Sequence, residues 1–230
     1  MSETDLAHLV VAIDGPSGSG KSTVARRVAA ALGLRYLDTG AMYRAVTWWA
    51  LERGVDLADT ERVAQLAREL RLEQGLDPEI ETLSVDGADI AAAIRTSRIS
   101  AAVSAVATNL GVRAELVARQ QAVARAGGVV IEGRDITTVV APDAPVRVLL
   151  TADEQVRLSR RALEVHGSAD ADAVDATRDQ VVRRDADDST VASFQQAADG
   201  VDVVDSSLLS LDETVAAVLK LVEARTGVRA

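Results

Sequence analysis

Residues 15–23 read Gly-Pro-Ser-Gly-Ser-Gly-Lys-Ser-Thr, three glycines and then a lysine and two hydroxyls. Glycine loses more freedom than any other residue on being fixed, so glycines at this density point to a ligand that needs bare backbone. The spacing from Gly15 to Ser22 fits G-x-x-x-x-G-K-[ST], a loop whose inward N–H groups surround phosphate oxygens. A helix starting near Lys21 adds its positive N-terminal end. Lys21 would reach the β and γ phosphates, and the Ser22 hydroxyl would take a place on Mg²⁺. Average residue usage makes a chance match in a chain this long a roughly 1% event. Gly15, Pro16, Ser17, Gly18, Ser19, Gly20, Lys21, Ser22 and Thr23 are therefore candidate triphosphate ligands.

Such a loop works only between a strand and a helix. Residues 9–13, LVVAI, form a buried-strand run, and Val24, Val28, Ala31 and Leu32 carry helical spacing up to a capping glycine, Gly33. LRYLD (34–38) predicts a second strand and residues 41–53 a helix. GVVIEG (128–133), PVRVLLTA (145–152) and VDVVD (201–205) predict three more strands. Continuous apolar runs mark strands covered on both faces, as in a parallel sheet. The expectation is a doubly wound α/β fold with five parallel strands flanked by helices.

Two stretches depart from that rhythm. Residues 71–92 alternate and carry Pro78 and the Asp86–Gly87 pair, which predicts a small antiparallel insertion at one edge of the sheet. Residues 167–190 are rich in aspartate, with Val174, Val181 and Val182 at helical spacing. They predict a helix with a solvated acidic face and no metal site.

The 230 residues are 48% apolar, enough for a real core, but only 2% aromatic, so Ala, Val and Leu must fill it. A net charge of −10 argues against nucleic-acid or anionic-membrane partners. Without cysteine there is no disulfide, thiol nucleophile or thiolate metal site. The polar N-terminus does not read as a signal peptide, and no apolar run is long enough to span a bilayer. A cytoplasmic monomer is expected, with small molecules as its partners. His8 and His166 receive no role, and Trp48–Trp49 are expected to pack the insertion against the core.

A phosphate loop alone leaves switch, motor and small-molecule kinase open. The guanine-reading N-K-x-D is absent. The strand VVIEG ends in Glu132 and is followed by Arg134 and Asp135, unusual for a motor. Arginine at the carboxyl end of a strand suggests a second anion facing the first.

Several separated stretches then coincide: IDGPSGSGKST, LDTGAMYRAVT, DGADIAAAIRT, VSAVATNLGVRAELVARQQ, VIEGRDITTVVAPDAPVRVLLTA and RRDADDST. In order and spacing, from about residue 8 to about 225, they resemble the bacterial cytidylate kinase family. The resemblance implies a nucleoside monophosphate kinase fold in one domain. Its core would be about 8–60, 110–155 and 195–226, its monophosphate-binding insertion about 61–109, and its helical lid about 156–194. The implied reaction is ATP with CMP or dCMP giving ADP with CDP or dCDP, with Mg²⁺; a kinase for another small acceptor, such as UMP, and a non-catalytic nucleotide switch are the alternatives.

Carried over by position, the resemblance assigns Thr39, Arg44 and Arg134 to the acceptor phosphate, and Arg95 to CMP binding. It assigns Ser104, Arg113 and Asp135 to the cytosine, and Arg184 and Asp188 to the sugar. Arg157, Arg160 and Arg161, at the start of the lid, would close over the β and γ phosphates. Phosphoryl transfer relies on positioning and charge neutralisation, so guanidinium groups are the expected catalysts. The acceptor phosphate, whose second pKa is about 6, needs no general base. One departure stands out. Where the family continues RRDADDST with an arginine, this chain has Val191, and Phe194 follows without the family's proline.

Overall fold

The computed structural model describes residues 3–229. In chain order the elements are α1 (Glu3–His8), β1 (Val10–Asp14), α2 (Lys21–Leu32), β2 (Arg35–Asp38), α3 (Thr39–Glu52) and α4 (Thr60–Glu69). A small group follows: β3 (Leu72–Gln74), β4 (Leu83–Val85) and β5 (Ala88–Asp89). After a short 3₁₀ turn come α5 (Ser97–Ala107), α6 (Leu110–Arg125) and β6 (Val129–Gly133). One π-turn (Ile136–Val140) leads to β7 (Val146–Thr151), α7 (Glu154–His166), α8 (Ala171–Ser189), β8 (Asp202–Asp205) and α9 (Leu211–Thr226).

The main sheet is parallel throughout, in the order β2-β6-β1-β7-β8. Alternate residues of β1 serve two cores. Val10 and Ala12 join the core with α3 to α6, whereas Val11 and Ile13 join that with α2 and α9. A strand covered on both faces must be apolar at every position, which is why the run is continuous. The order reverses around β1, with β6 on one side and β7 on the other. Loops after β1 and β6 therefore diverge and open a crevice at the strands' carboxyl ends. Both the phosphate loop and the segment 133–135 lie there.

The insertion expected over 71–92 is a three-stranded antiparallel sheet, β3-β4-β5. Asp86 (φ 49°) and Gly87 (φ 83°) both take positive φ between β4 and β5, the requirement of a tight two-residue hairpin turn. The insertion joins the β2 edge through the Tyr36 N–H, which donates to the Leu76 carbonyl at 2.8 Å. Trp48 and Trp49 stack with ring centroids 6.0 Å apart. They pack on the core that holds Leu83, Val85 and Ile90 of the insertion, as expected.

The acidic stretch is a helix, but its face is not uniformly solvated. Val174, Thr177, Val181, Asp185 and Asp188 form one buried stripe at helical spacing. Its apolar part packs with Leu158 and Ala162 of α7. Val182, expected on the same stripe, is 45% exposed, because adjacent helical residues point about 100° apart. Among the described residues no single helix is long and apolar enough to cross a membrane.

Candidate active site

The crevice is a cleft of about 600 Å³. Eight basic side chains and five acidic ones line it, in a chain whose net charge is −10. The basic groups are Lys21, Arg44, Arg95, Arg113, Arg134, Arg160, Arg161 and Arg184. Crowding these cations together, partly buried, costs energy unless anions enter.

Three groups carry that cost directly. Burial, reinforced by nearby Arg161 and Arg95, pushes the Arg44 guanidinium down to about 10. Its donors reach only neutral acceptors, the Ile94 carbonyl at 3.2 Å and the Ser100 hydroxyl at 2.9 Å. Burial and the adjacent Arg134 hold Arg184 well below its ordinary value. Lys21 is likewise lowered, chiefly by burial.

The phosphate loop is shaped for anions. Gly18 (φ 76°) and Gly20 (φ 86°) are left-handed, and a Cβ on Gly18 would lie 2.4 Å from the Arg157 carbonyl oxygen. Helix α2 follows with no side-chain cap and no acidic residue in its first turn. By contrast α3, α4, α6, α8 and α9 are each capped by a side chain. Its free N–H groups and dipole point at the cleft. Lys21 is the first residue of that helix and half-buried, with its Nζ 3.4 Å from the Pro16 carbonyl.

Glu132, next to last in β6, is marked by the sequence only as a strand end, with no ligand role. Its partner Ser22 lies 110 residues earlier and donates its hydroxyl to Oε1 at 2.7 Å. Burial and the nearby Asp38 raise the Glu132 carboxyl, whereas Lys21 opposes the shift. This serine–carboxylate pair beside Lys21 offers hard oxygen ligands of the kind Mg²⁺ takes. Among the described residues no cluster of three or more His, Asp or Glu could hold a metal ion by itself.

On the opposite wall Arg113 pairs with Asp135 at 2.5 Å and Arg134 with Asp188 at 2.9 Å. Arg184 lies 3.6 Å from Asp188. The Arg134 guanidinium also lies over the Phe194 ring, 5.2 Å from its centroid. Thr39 donates to the Glu132 carbonyl at 2.8 Å, and Arg95 bridges Asp38 (3.1 Å) and Glu81 (2.5 Å). Burial works to raise the Asp38 carboxyl, but Arg95 and the Ala41 N–H outweigh it and hold it low. Five buried polar atoms in the lining lack a protein hydrogen bond: Ser19 Oγ, Tyr43 OH, Asp188 Oδ1 and the Nε atoms of Arg134 and Arg184, the last two being ion-paired with Asp188. Buried polar groups are normally satisfied, so these atoms point to a polar ligand at both ends of the cleft.

Most of the expected residues thus converge, but Gly15, Pro16, Ser104 and Arg157 do not line the cleft. Val103 and Ala107, one turn apart on α5, face it, and Ser104 is rotated away. Arg157 turns to the phosphate loop and to Asp185, which puts its expected place over the phosphates in question. Arg160 holds Ser206, donating to its carbonyl at 2.8 Å, and Arg161 pairs with Glu164 at 2.7 Å. Leu163, Ser206, Leu211 and Thr214 complete the donor-loop side of the lining; nothing in their sequence pattern singled them out.

Asp14 supports the wall from behind. Its carboxylate accepts from the Ile136 N–H (2.8 Å), the Thr137 N–H (2.9 Å) and the Thr137 hydroxyl (2.6 Å), which fixes the turn after Arg134 and Asp135. Burial outweighs those bonds and raises the carboxyl to about 6, from an ordinary 3.8. The folded chain then holds a proton that the unfolded chain releases between those two values. Stability should therefore be greatest below the window and fall as pH rises through it, by up to about 1.4 kcal/mol per unit. Urea midpoints at pH 4.5, 5.5 and 6.5 should show a shallower decline for Asp14→Asn than for wild type. Parallel declines would contradict the assignment.

A phosphate loop, helix α7 against it and an arginine-lined wall across the cleft at the sheet's switch point define a P-loop phosphotransferase. The cytidylate kinase family profile matches residues 11–224. A cytidylate kinase from Streptomyces griseus is 44% identical over 227 residues, covering 97% of this chain and 96% of that one. One from Cutibacterium acnes is 50% identical over 216 residues, covering 93% and 96%. The chain belongs to the cytidylate kinase family. The fold is also shared with a functionally uncharacterized protein from Eubacterium ventriosum, at 12% identity and a TM-score of 0.52 over 94% of this chain and 99% of that one.

Proposed function

We infer that this enzyme transfers the γ-phosphoryl group of ATP to CMP or dCMP, giving ADP with CDP or dCDP. The observation that carries the reading is the pairing of an uncapped phosphate loop with a second, guanidinium-walled anion site across one cleft. Loop N–H groups and Lys21 hold the donor phosphates, while Arg44, Arg134 and Arg184 neutralise the acceptor phosphate and the charge spreading over the transferred group. Arg161, and Arg160 beside Ser19, complete the donor side, and the apolar edges of Leu163 and Leu211 flank the adenine. Ser22 and Glu132 would hold Mg²⁺ with the ATP phosphates, where it neutralises charge on the β and γ oxygens. Asp135, fixed by Arg113, accepts from the cytosine amine, and Asp188 Oδ1 accepts from the sugar.

The mechanical division follows the same lines. The five-stranded sheet with α2 and α9 is the core, residues 61–109 carry the monophosphate-binding insertion, and α7–α8 form the lid within 156–194. Closing the lid excludes water that would otherwise hydrolyse ATP. Such an enzyme works as a soluble cytoplasmic monomer without a nucleic-acid or membrane partner. The test is to incubate the protein with ATP and CMP and resolve the products. CDP and ADP should appear in equal amounts. ADP without CDP would contradict the reading.

Val191 lines the cleft beside Ala192, close to Arg184. Arg183 is exposed on α8 and does not line the cleft, so it does not supply the missing cation. Val191→Arg should therefore lower the CMP KM about tenfold or more, the worth of one charge-assisted hydrogen bond of roughly 1.5–3 kcal/mol. The ATP KM should change little. An unchanged CMP KM would show that Phe194 and Arg134 already complete the site.

A further inference from the structure

The buried stripe of α8 holds a carboxylate with three partners on three different segments. Asp185 is 6% exposed. Its Oδ1 accepts from the backbone N–H of Ser17 at 3.1 Å. Its Oδ2 accepts from Arg157 Nη1 at 2.6 Å, and Arg134 Nη2 lies 3.7 Å from Oδ1. Arg157 Nη1 also donates to the Ser17 carbonyl at 2.8 Å. Ser17 is thus gripped on both sides of its backbone, its N–H by the carboxylate and its C=O by the guanidinium.

At the same place the backbone of α7 lies directly against the phosphate loop. Only the missing Cβ of Gly18 lets the Arg157 carbonyl come so near. Charge and packing agree. Arg157 commits Nη1 to two protein oxygens, the Ser17 carbonyl and the Asp185 carboxylate, and it lies outside the cleft lining that Arg160 and Arg161 share.

We propose that Asp185 is a positioning residue for phosphoryl transfer, tying the phosphate loop at Ser17 to the first turn of α7 through Arg157, which acts as a strut instead of a phosphate ligand. The proposal rests on reading this cleft as the ATP–CMP site. It has two consequences. The first turn of α7 is a fixed pivot, so lid motion is confined to the rest of α7 and to α8 before Asp185. In addition, the carboxylate restrains Arg134 between the two phosphate sites, so donor-loop shape and acceptor charge are set by one side chain.

A double-mutant cycle decides the point. The kcat of wild type, Arg157→Ala, Asp185→Ala and the double variant is measured at saturating ATP and CMP, well below every variant's Tm. A strut gives a loss of about 10- to 100-fold for either single substitution, with the double variant no slower than the slower single one. Independent action of Arg157 on the phosphates would make the double loss the product of the single losses and overturn the proposal. Full kcat in folded Asp185→Ala would also overturn it, since the contact would then serve only stability. If Asp185→Ala does not fold, Asp185→Asn replaces it in the cycle, because its amide oxygen still accepts from Ser17 but cannot hold Arg157 by charge. Wild-type protein with no CMP-dependent ADP release would instead remove the functional reading, which separates the two failures.

Discussion

Lys21→Ala should lower kcat for phosphoryl transfer by about 10²- to 10³-fold while the protein stays folded. The lysine is a preorganised charge aimed at where charge develops, and losing one such donor in an enclosed site costs about 10²–10³ in rate. Its own contribution to the fold is slight. It is the opening residue of α2, and its one side-chain hydrogen bond among the described residues is a 3.4 Å approach to the Pro16 carbonyl. Burial disfavours its charge, as do Arg134 and Arg184, although Glu132 favours it. Removing it relieves more than it breaks, so Tm should hold or rise. Stopped assays with ATP and CMP, paired with thermal melts, check both parts. Near-normal turnover would remove ATP from this loop.

Asp135→Ala should damage CMP use much more than ATP binding. The carboxylate is 5% exposed and held by Arg113. A charged acceptor lost from the cytosine amine costs on the order of 1.5–3 kcal/mol, about 10- to 150-fold in kcat/KM for CMP. Uracil offers an oxygen at that edge and has no such bond to lose, so UMP should suffer less. Asp135→Asn gives a second view. Its amide can donate to uracil as well as accept from cytosine, and the CMP-to-UMP ratio should fall further. Equal losses for CMP and UMP in both variants would show that Asp135 does not read the base.

The residues that chemistry demanded locally were the ones the sequence made legible. The phosphate loop reads directly because its glycines, lysine and serine are contiguous. Strands β1 and β6 read as continuous apolar runs because both faces are covered, and the insertion was marked by the Asp86–Gly87 turn. What stayed hidden depends on partners far along the chain. Asp185 looks like one more acidic residue in an aspartate-rich helix; its burial exists only because Ser17, Arg157 and Arg134 meet there. Glu132 becomes part of the donor site only through Ser22. Arg157, Arg160 and Arg161 are near neighbours on one helix, yet they contact the loop at Ser17, Ser206 and Glu164 respectively. Spacing placed all three near the site, but it could not divide strut from ligand.

Acceptor discrimination tests the central claim most directly. Coupled ADP release should be measured for CMP, dCMP, UMP, AMP and shikimate under the same conditions, with ATP saturating. The arrangement of Arg113, Asp135 and Asp188 predicts that CMP or dCMP gives the highest kcat/KM, at least about tenfold above UMP, with AMP and shikimate near background. A protein that phosphorylates UMP or AMP as well as CMP, or that releases ADP at the same rate without any acceptor, would contradict it.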